Sequence, residues 1–167
     1  MMEEGKPAPD FALPDAQGRT VTLSGFRGQT VVLYFYPKDD TPGCTTEACE
    51  FRDDYAVFGT RDVVILGVSP DSSASHARFA AKYDLPFPLL ADTDHAVGEA
   101  YGVWKEKSAY GKTFWGIERT TMVIDPSGRI RRIFRRVRPR GHSTEVQEAL
   151  ADSSLHSRGG PRRRVEG

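Results

Sequence analysis

The sequence is poor in the features that mark a specialised environment. Two cysteines in 167 residues are too few for a disulfide framework. Lys and Arg together number 23, as do Asp and Glu, so the formal net charge is zero. The chain as a whole therefore offers no electrostatic case for nucleic acid or an anionic membrane. No apolar run approaches the roughly 20 residues that cross a bilayer. The acidic stretch from Met1 to Pro7 has no apolar h-region and does not read as a signal peptide, so a cytoplasmic location is expected. His76, His95, His142 and His156 are scattered without ligand spacing. With only two cysteines they make no structural zinc set, no metal or other cofactor is expected, and the four read as surface residues.

What is present suits one compact domain: 38% of residues are hydrophobic and 28% charged. Phe11 to Leu13 and Val21 to Leu23 flank a turn-rich Asp15-Ala16-Gln17-Gly18, which predicts an N-terminal β-hairpin. Val31 to Tyr36 is nearly all apolar and rich in β-branched and aromatic residues, the pattern of a strand buried on both faces. Pro37 ends it. A helix is expected from about Cys44 to Phe58, with Phe51, Tyr55 and Phe58 as a buried stripe. Val63 to Val68 is a second buried strand, and Ser72 or Ser73 can cap a helix running through Lys82 with Phe79 and Tyr83 inward. Leu89 to Ala91 is a short strand, and Asp94 can cap a brief helix to Tyr101. Thr121 to Asp125 and Arg129 to Phe134 flank Pro126-Ser127-Gly128, a strong hairpin signal. A final helix fits Ser143 to Ala151. Strands alternating with helices and closing in a hairpin predict an α/β, thioredoxin-like fold, a mixed sheet flanked by helices.

Charge is unevenly placed. A run of arginines lies between Arg129 and Arg140, and Arg162 to Arg164 crowd the end of the chain. From Asp152 onward the sequence is polar and aperiodic. The reading is one domain over residues 1–151 followed by a disordered Arg-rich tail at 152–167, with no function assigned to that tail.

The informative stretch is Pro37-Lys38-Asp39-Asp40-Thr41-Pro42-Gly43-Cys44-Thr45-Thr46-Glu47-Ala48-Cys49. Cys44 follows a buried strand and a Pro/Gly loop and opens a helix. Unpaired backbone N–H groups there favour a thiolate, which is the reactive form of cysteine. Moving a thiol pKa from about 8.5 to about 6 takes roughly 3.4 kcal/mol of preferential stabilisation, whereas a helix N-terminus supplies about 0.3–1 and at best ~2. A cation is needed as well. Arg119, at the start of a buried strand, is the candidate, because a strand end can face the same edge as the loop after Pro37. Arg119, the Thr41 hydroxyl and the N–H groups of Gly43 and Cys44 make a donor set able to stabilise a leaving oxygen.

Pro37-x-x-x-Thr41-x-x-Cys44 resembles the active-site motif of the peroxiredoxins. Cys49 looks like the resolving cysteine of the bacterioferritin-comigratory, or peroxiredoxin Q, branch. Glu47 matches the acidic position of the motif, and Arg119 in Arg-Thr-Thr-Met-Val-Ile-Asp matches the family's arginine. The resemblance spans about residues 5–151 and includes Gly5 to Phe11, Gly102-Val103-Trp104 and Gly111-Lys112-Thr113. It implies a thiol peroxidase acting on hydrogen peroxide or organic hydroperoxides. Cys44 would become a sulfenic acid and condense with Cys49, and thioredoxin or a similar dithiol would reduce the disulfide. No metal, haem or flavin takes part, and the branch implies a monomer while leaving a dimer open. Two other classes stay open at this point. A general thiol-disulfide oxidoreductase would normally carry Cys-x-x-Cys, whereas four residues separate these cysteines. A peroxide sensor relaying oxidation to a partner need not turn over with thioredoxin.

Overall fold

The computed structural model describes residues 2–156, with side chains as far as residue 151. Five strands form the central sheet in the order β5 (Leu89–Ala91), β4 (Val63–Ser69), β3 (Thr30–Phe35), β8 (Thr120–Ile124), β9 (Ile130–Phe134). β3, β4 and β5 are parallel, β8 runs antiparallel to them, and β9, antiparallel to β8, returns to their direction. The expected N-terminal hairpin forms from β1 (Ala12–Pro14) and β2 (Thr20–Thr22). A second hairpin, β6 (Trp104–Ala109) and β7 (Lys112–Ile117), has no counterpart in the hydrophobic pattern, because most of its side chains are exposed or half-buried.

Strand alternation divides the core. Val32, Tyr34 and Tyr36 face one side, where they meet α1 (Pro42–Asp53), α2 (Tyr55–Thr60), α3 (Ser73–Tyr83) and α5 (His142–His156) through Ala48, Phe51, Phe58, Phe79 and Val146. Val31, Leu33 and Phe35 face the other, which is covered by Leu13, Leu23, Tyr101, Val103 and Ile117 from the N-terminal hairpin, the segment after α4 (Ala96–Ala100) and the base of β6–β7. A sheet buried on both faces explains why β3 is almost wholly apolar. Side chains of the two strands flanking β4 close over Gly67 on the first face: a Cβ there would lie 2.9 Å from both Leu89 Cδ2 and the Tyr34 ring.

Three expectations need correction. The helix expected from Cys44 to Phe58 begins at Pro42 and breaks at Asp54. The Asp54 carboxylate accepts hydrogen bonds from Ser143 Oγ at 2.7 Å and Gln147 Nε2 at 2.9 Å, which ties the break to α5. The break resets the helical phase, so Tyr55 is 37% exposed while Phe51 and Phe58 are fully buried. The last helix continues past Ala151 to His156, since no Gly or Pro interrupts it before Gly159. The rest of the proposed tail, including Arg162 to Arg164, lies outside the described residues. Finally, His76 and His142 are not surface residues: they are 0% and 1% exposed, and both are held by hydrogen bonds.

Phe51 sits at the centre of the first core half, with ring centroids 5.0 Å from Tyr34, 5.9 Å from Phe58 and 5.9 Å from His142. Phe51→Ala should lower the unfolding free energy by about 3–5 kcal/mol in urea titration, the usual cost of emptying an aromatic site. A loss under ~1 kcal/mol would show that α1 is not anchored through this ring.

Candidate active site

β3 delivers the chain to the site and β8 returns an arginine to it. Phe35 pairs with Thr120, so Arg119 stands beside the end of β3 where the Pro37 loop departs. Pro37 closes the strand, Thr41 is the N-cap of α1, and Pro42 occupies its first turn, a position that needs no N–H. The first helical bond runs from Thr45 N to the Thr41 carbonyl, so the N–H groups of Gly43 and Cys44 have no acceptor in their own helix. Cys44 and Glu47 are three apart and share one helical face.

Arg119 joins that face to the sheet. Its Nη2 donates to Cys44 Sγ at 3.4 Å, and its Nη1 donates to Glu47 Oε1 at 2.7 Å. Cys44 is 1% exposed. Burial pushes the Glu47 carboxyl up to about 7, and the adjacent Arg119 only partly offsets it. Among the described residues, Glu47 Oε2 and the Tyr34 hydroxyl are buried without a hydrogen-bond partner. Burial first, and then the Glu47 charge, hold the Tyr34 phenol protonated.

The Thr41 hydroxyl donates to the Lys38 carbonyl at 2.8 Å. Its proton is thereby committed, and the oxygen is left as an acceptor. Cys49 is half-buried on the same helix as Cys44, and both thiols are free. The structure thus brings Cys44, Glu47 and Arg119 into direct contact, sets Thr41 at the helix entrance, and leaves Cys49 more than one turn further along.

A polar cluster behind the Pro37 loop had no motif to reveal it. Asp39 accepts hydrogen bonds from the Tyr36 hydroxyl at 2.6 Å and from Ser75 Oγ at 2.7 Å, and it meets His76 Nδ1 at 2.8 Å. His76 Nε2 lies 3.0 Å from the Leu90 carbonyl, which can only accept. Burial raises the Asp39 carboxyl, but bonds from His76, Tyr36 and Ser75 outweigh it and leave it below the usual range. This buried cluster fixes the loop that carries Thr41 to α3 and β5. Its only sequence signal was polar residues beside apolar runs, which also describes a solvated loop.

A buried cysteine at a helix N-terminus, in contact with an arginine from the neighbouring strand of a thioredoxin-like sheet, is an arrangement suited to thiol chemistry. The chain belongs to the AhpC/TSA family, whose model matches residues 5–133, and within it to the peroxiredoxins of the bacterioferritin-comigratory or peroxiredoxin Q type. It is 50% identical over 153 residues to peroxiredoxin Bcp of Bacillus subtilis, covering 92% of this chain and 98% of that one. Peroxiredoxin Bcp of Escherichia coli is 45% identical over 151 residues, covering 90% and 97%. The solved bacterioferritin comigratory protein of Xanthomonas campestris superposes with a TM-score of 0.85 at 40% identity, over 91% of this chain and 99% of that one. The chain is a thiol-dependent peroxidase of this family.

The folded state holds the Glu47 proton more tightly than an ordinary carboxyl with a pKa of 4.5. This group's stabilising contribution is complete below about pH 4.5 and is lost as pH rises through about 7, a change of at most about 3–4 kcal/mol. The melting temperature of the wild type should therefore fall more steeply between pH 5 and pH 8 than that of Glu47→Gln. Parallel profiles would mean that Glu47 remains ionised throughout beside Arg119.

Proposed function

We propose that Cys44 is the peroxidatic nucleophile, that Arg119 and the helix N-terminus stabilise the charge that moves during attack, and that Cys49 resolves the product. The observation that carries this reading is the single guanidinium shared by Cys44 Sγ and Glu47 Oε1. The Cys44 thiolate attacks the terminal oxygen of ROOH and the O–O bond breaks. Cys44 becomes a sulfenic acid, and RO⁻ takes a proton to leave as ROH. Arg119 donates to the oxygen that gains charge, and Thr41 accepts from the peroxide hydroxyl. Glu47 orients Arg119 as a positioning residue. Pro37 and Pro42 shape the loop around the sulfur.

The Cys49 thiol then condenses with the sulfenic acid, releasing water and forming the Cys44–Cys49 disulfide. A dithiol such as thioredoxin reduces that bond and is itself oxidised. Five positions along an α-helix separate Cα atoms by roughly 8.6 Å, whereas a disulfide spans about 4.4–6.8 Å. The first turns of α1 must therefore open, which also exposes the bond to a protein reductant. The 1% exposure of Cys44 favours peroxidase over general thiol exchange, because only a small substrate reaches the sulfur while α1 is intact. Two free thiols that must cycle through the reduced form fit a reducing, cytoplasmic setting. Among the described residues no helix is long and apolar enough to cross a membrane. The net charge of zero supplies no general attraction for nucleic acid, and the reading is of a monomer.

Cys44→Ser should abolish peroxide consumption, since a hydroxyl is not ionised near neutral pH. Cys49→Ser should complete the first turnover, fail to recycle with thioredoxin, and over-oxidise at Cys44. Stopped-flow peroxide assays and intact mass after peroxide treatment read these outcomes. Sustained turnover in Cys44→Ser would end the assignment. Arg119→Ala should slow peroxide attack by a larger factor than it slows alkylation of Cys44 at the same pH, because only the peroxide reaction has a leaving oxygen to stabilise. Equal factors would remove the second role of Arg119.

A further inference from the structure

The arginine run of the sequence lies beside the redox helix. After β9 the chain turns through Arg135-Arg136-Val137-Arg138-Pro139-Arg140-Gly141 into α5. This loop reaches both ends of the Cys44–Cys49 segment. A Cβ on Gly43 would lie 3.4 Å from Pro139 Cγ, and Gly141 N donates to Glu50 Oε1 at 2.8 Å. Val137 N donates to the Arg119 carbonyl at 3.0 Å, which ties the loop to the active-site arginine. Arg135, Arg136, Arg138 and Arg140 are all exposed around a groove of about 660 Å³.

The two flanks of α1 differ in charge. Toward α3, Lys82 pairs with Asp40 at 2.8 Å and Arg52 with Asp53 at 2.9 Å, so the positive charges there are compensated. On the loop flank, Arg136 lies 3.5 Å from Glu118 while 85% exposed, and Arg135 donates to the Met2 carbonyl. Neither Arg138 nor Arg140 makes an ion pair or hydrogen bond among the described residues. The groove also holds the carboxylates of Glu145, hydrogen-bonded to the buried His142, and of Glu148, two negative charges against the four arginines. Arg136 adopts φ +50°, a left-handed conformation that an arginine rarely takes, so the loop keeps this shape against local strain. In a chain of zero net charge this is a local positive field at the margin of the active site.

We propose that the Arg135–Arg140 loop is the docking surface for an acidic face of the protein dithiol that reduces the enzyme. The proposal rests on the reading that a protein dithiol reduces the Cys44–Cys49 bond. Exposed guanidiniums hold a lone small ion weakly, because water and salt screen each pair. Spread along a loop, they sum over an opposing protein face, where they raise encounter rates and set orientation. The position suits the task. A partner seated on residues 138–140 lies against Gly43 and Glu50, the two ends of the segment that opens when the disulfide forms.

The test compares wild type, R138E/R140E and the charge-keeping R138K/R140K in steady-state assays with thioredoxin, its reductase and NADPH, and separately with dithiothreitol. R138E/R140E should raise the KM for thioredoxin by roughly tenfold at low ionic strength, with the dithiothreitol rate unchanged and R138K/R140K close to wild type. Added salt should raise the wild-type KM toward that of the reversed variant. An unchanged KM for thioredoxin in R138E/R140E overturns the docking surface while leaving thioredoxin as reductant. An equal loss with dithiothreitol also overturns it, since the loop would then act on the opening of α1. A wild type that turns over with dithiothreitol but not with thioredoxin overturns both readings. A raised KM for a carboxylate-bearing hydroperoxide, with thioredoxin unaffected, overturns docking in favour of a substrate site.

Discussion

The geometry of this site depends on one guanidinium held between two helix residues and one strand. Arg119 carries its charge from the start of β8 to the first turns of α1, where it meets Cys44 Sγ and Glu47 Oε1 on a single helical face. A buried carboxylate, a buried thiol and a cation in contact tolerate little displacement, because an unpaired charge in that setting costs several kcal/mol. The sheet must therefore place β3 and β8 as neighbours in the observed register, with Phe35 opposite Thr120. A slip of one residue would turn the side chains of β8 to the opposite face of the sheet and carry Arg119 out of reach.

The scaffold behind this contact is stiff and the helix in front of it can open. Tyr34, Phe58 and Phe87 pack with Phe51 of α1 in the core, and Asp39, His76 and Tyr36 lock the preceding loop with buried hydrogen bonds. The start of α1 is tied by Arg119 to Cys44 and Glu47 and by the Thr41 hydroxyl to the Lys38 carbonyl, and the loop before α5 adds Pro139 against Gly43 and Gly141 to Glu50. These contacts enclose the thiol while it meets a small peroxide, and those at Cys44 must be given up before the sulfur is presented to a second cysteine.

Local signals in the chain were sufficient for the strands of the central sheet, for the Ser72 cap, whose hydroxyl accepts from Ser75 N at 3.1 Å, and for the N-terminal and Pro126–Gly128 hairpins. They also placed Pro37 after the strand and Thr41 and Cys44 at the helix start, because strand, breaker and helix start follow one another within a few residues. They failed where distant segments decide. The Asp54 break depends on Ser143 and Gln147 from α5. The burial of His76 and His142 depends on Asp39, Leu90 and Thr121, none of them close in sequence. The β6–β7 hairpin escaped notice because its exposed Phe114 and Trp115 and its lysines show no apolar alternation.

A cysteine at a helix N-terminus after a buried strand, a second cysteine five positions on, and an arginine at the head of another buried strand are legible in the chain alone. Those are properties of short stretches, where backbone periodicity and turn residues act directly. Folding alone brings Arg119 against both Cys44 and Glu47, buries Glu47 so that its carboxyl is pushed up to about 7, and anchors Asp39 to His76. It also placed the arginines of residues 135–140 beside α1. Each of these joins residues at least three positions apart, and most join residues tens of positions apart. Their distances are fixed by strand order, register and packing, which no local pattern contains.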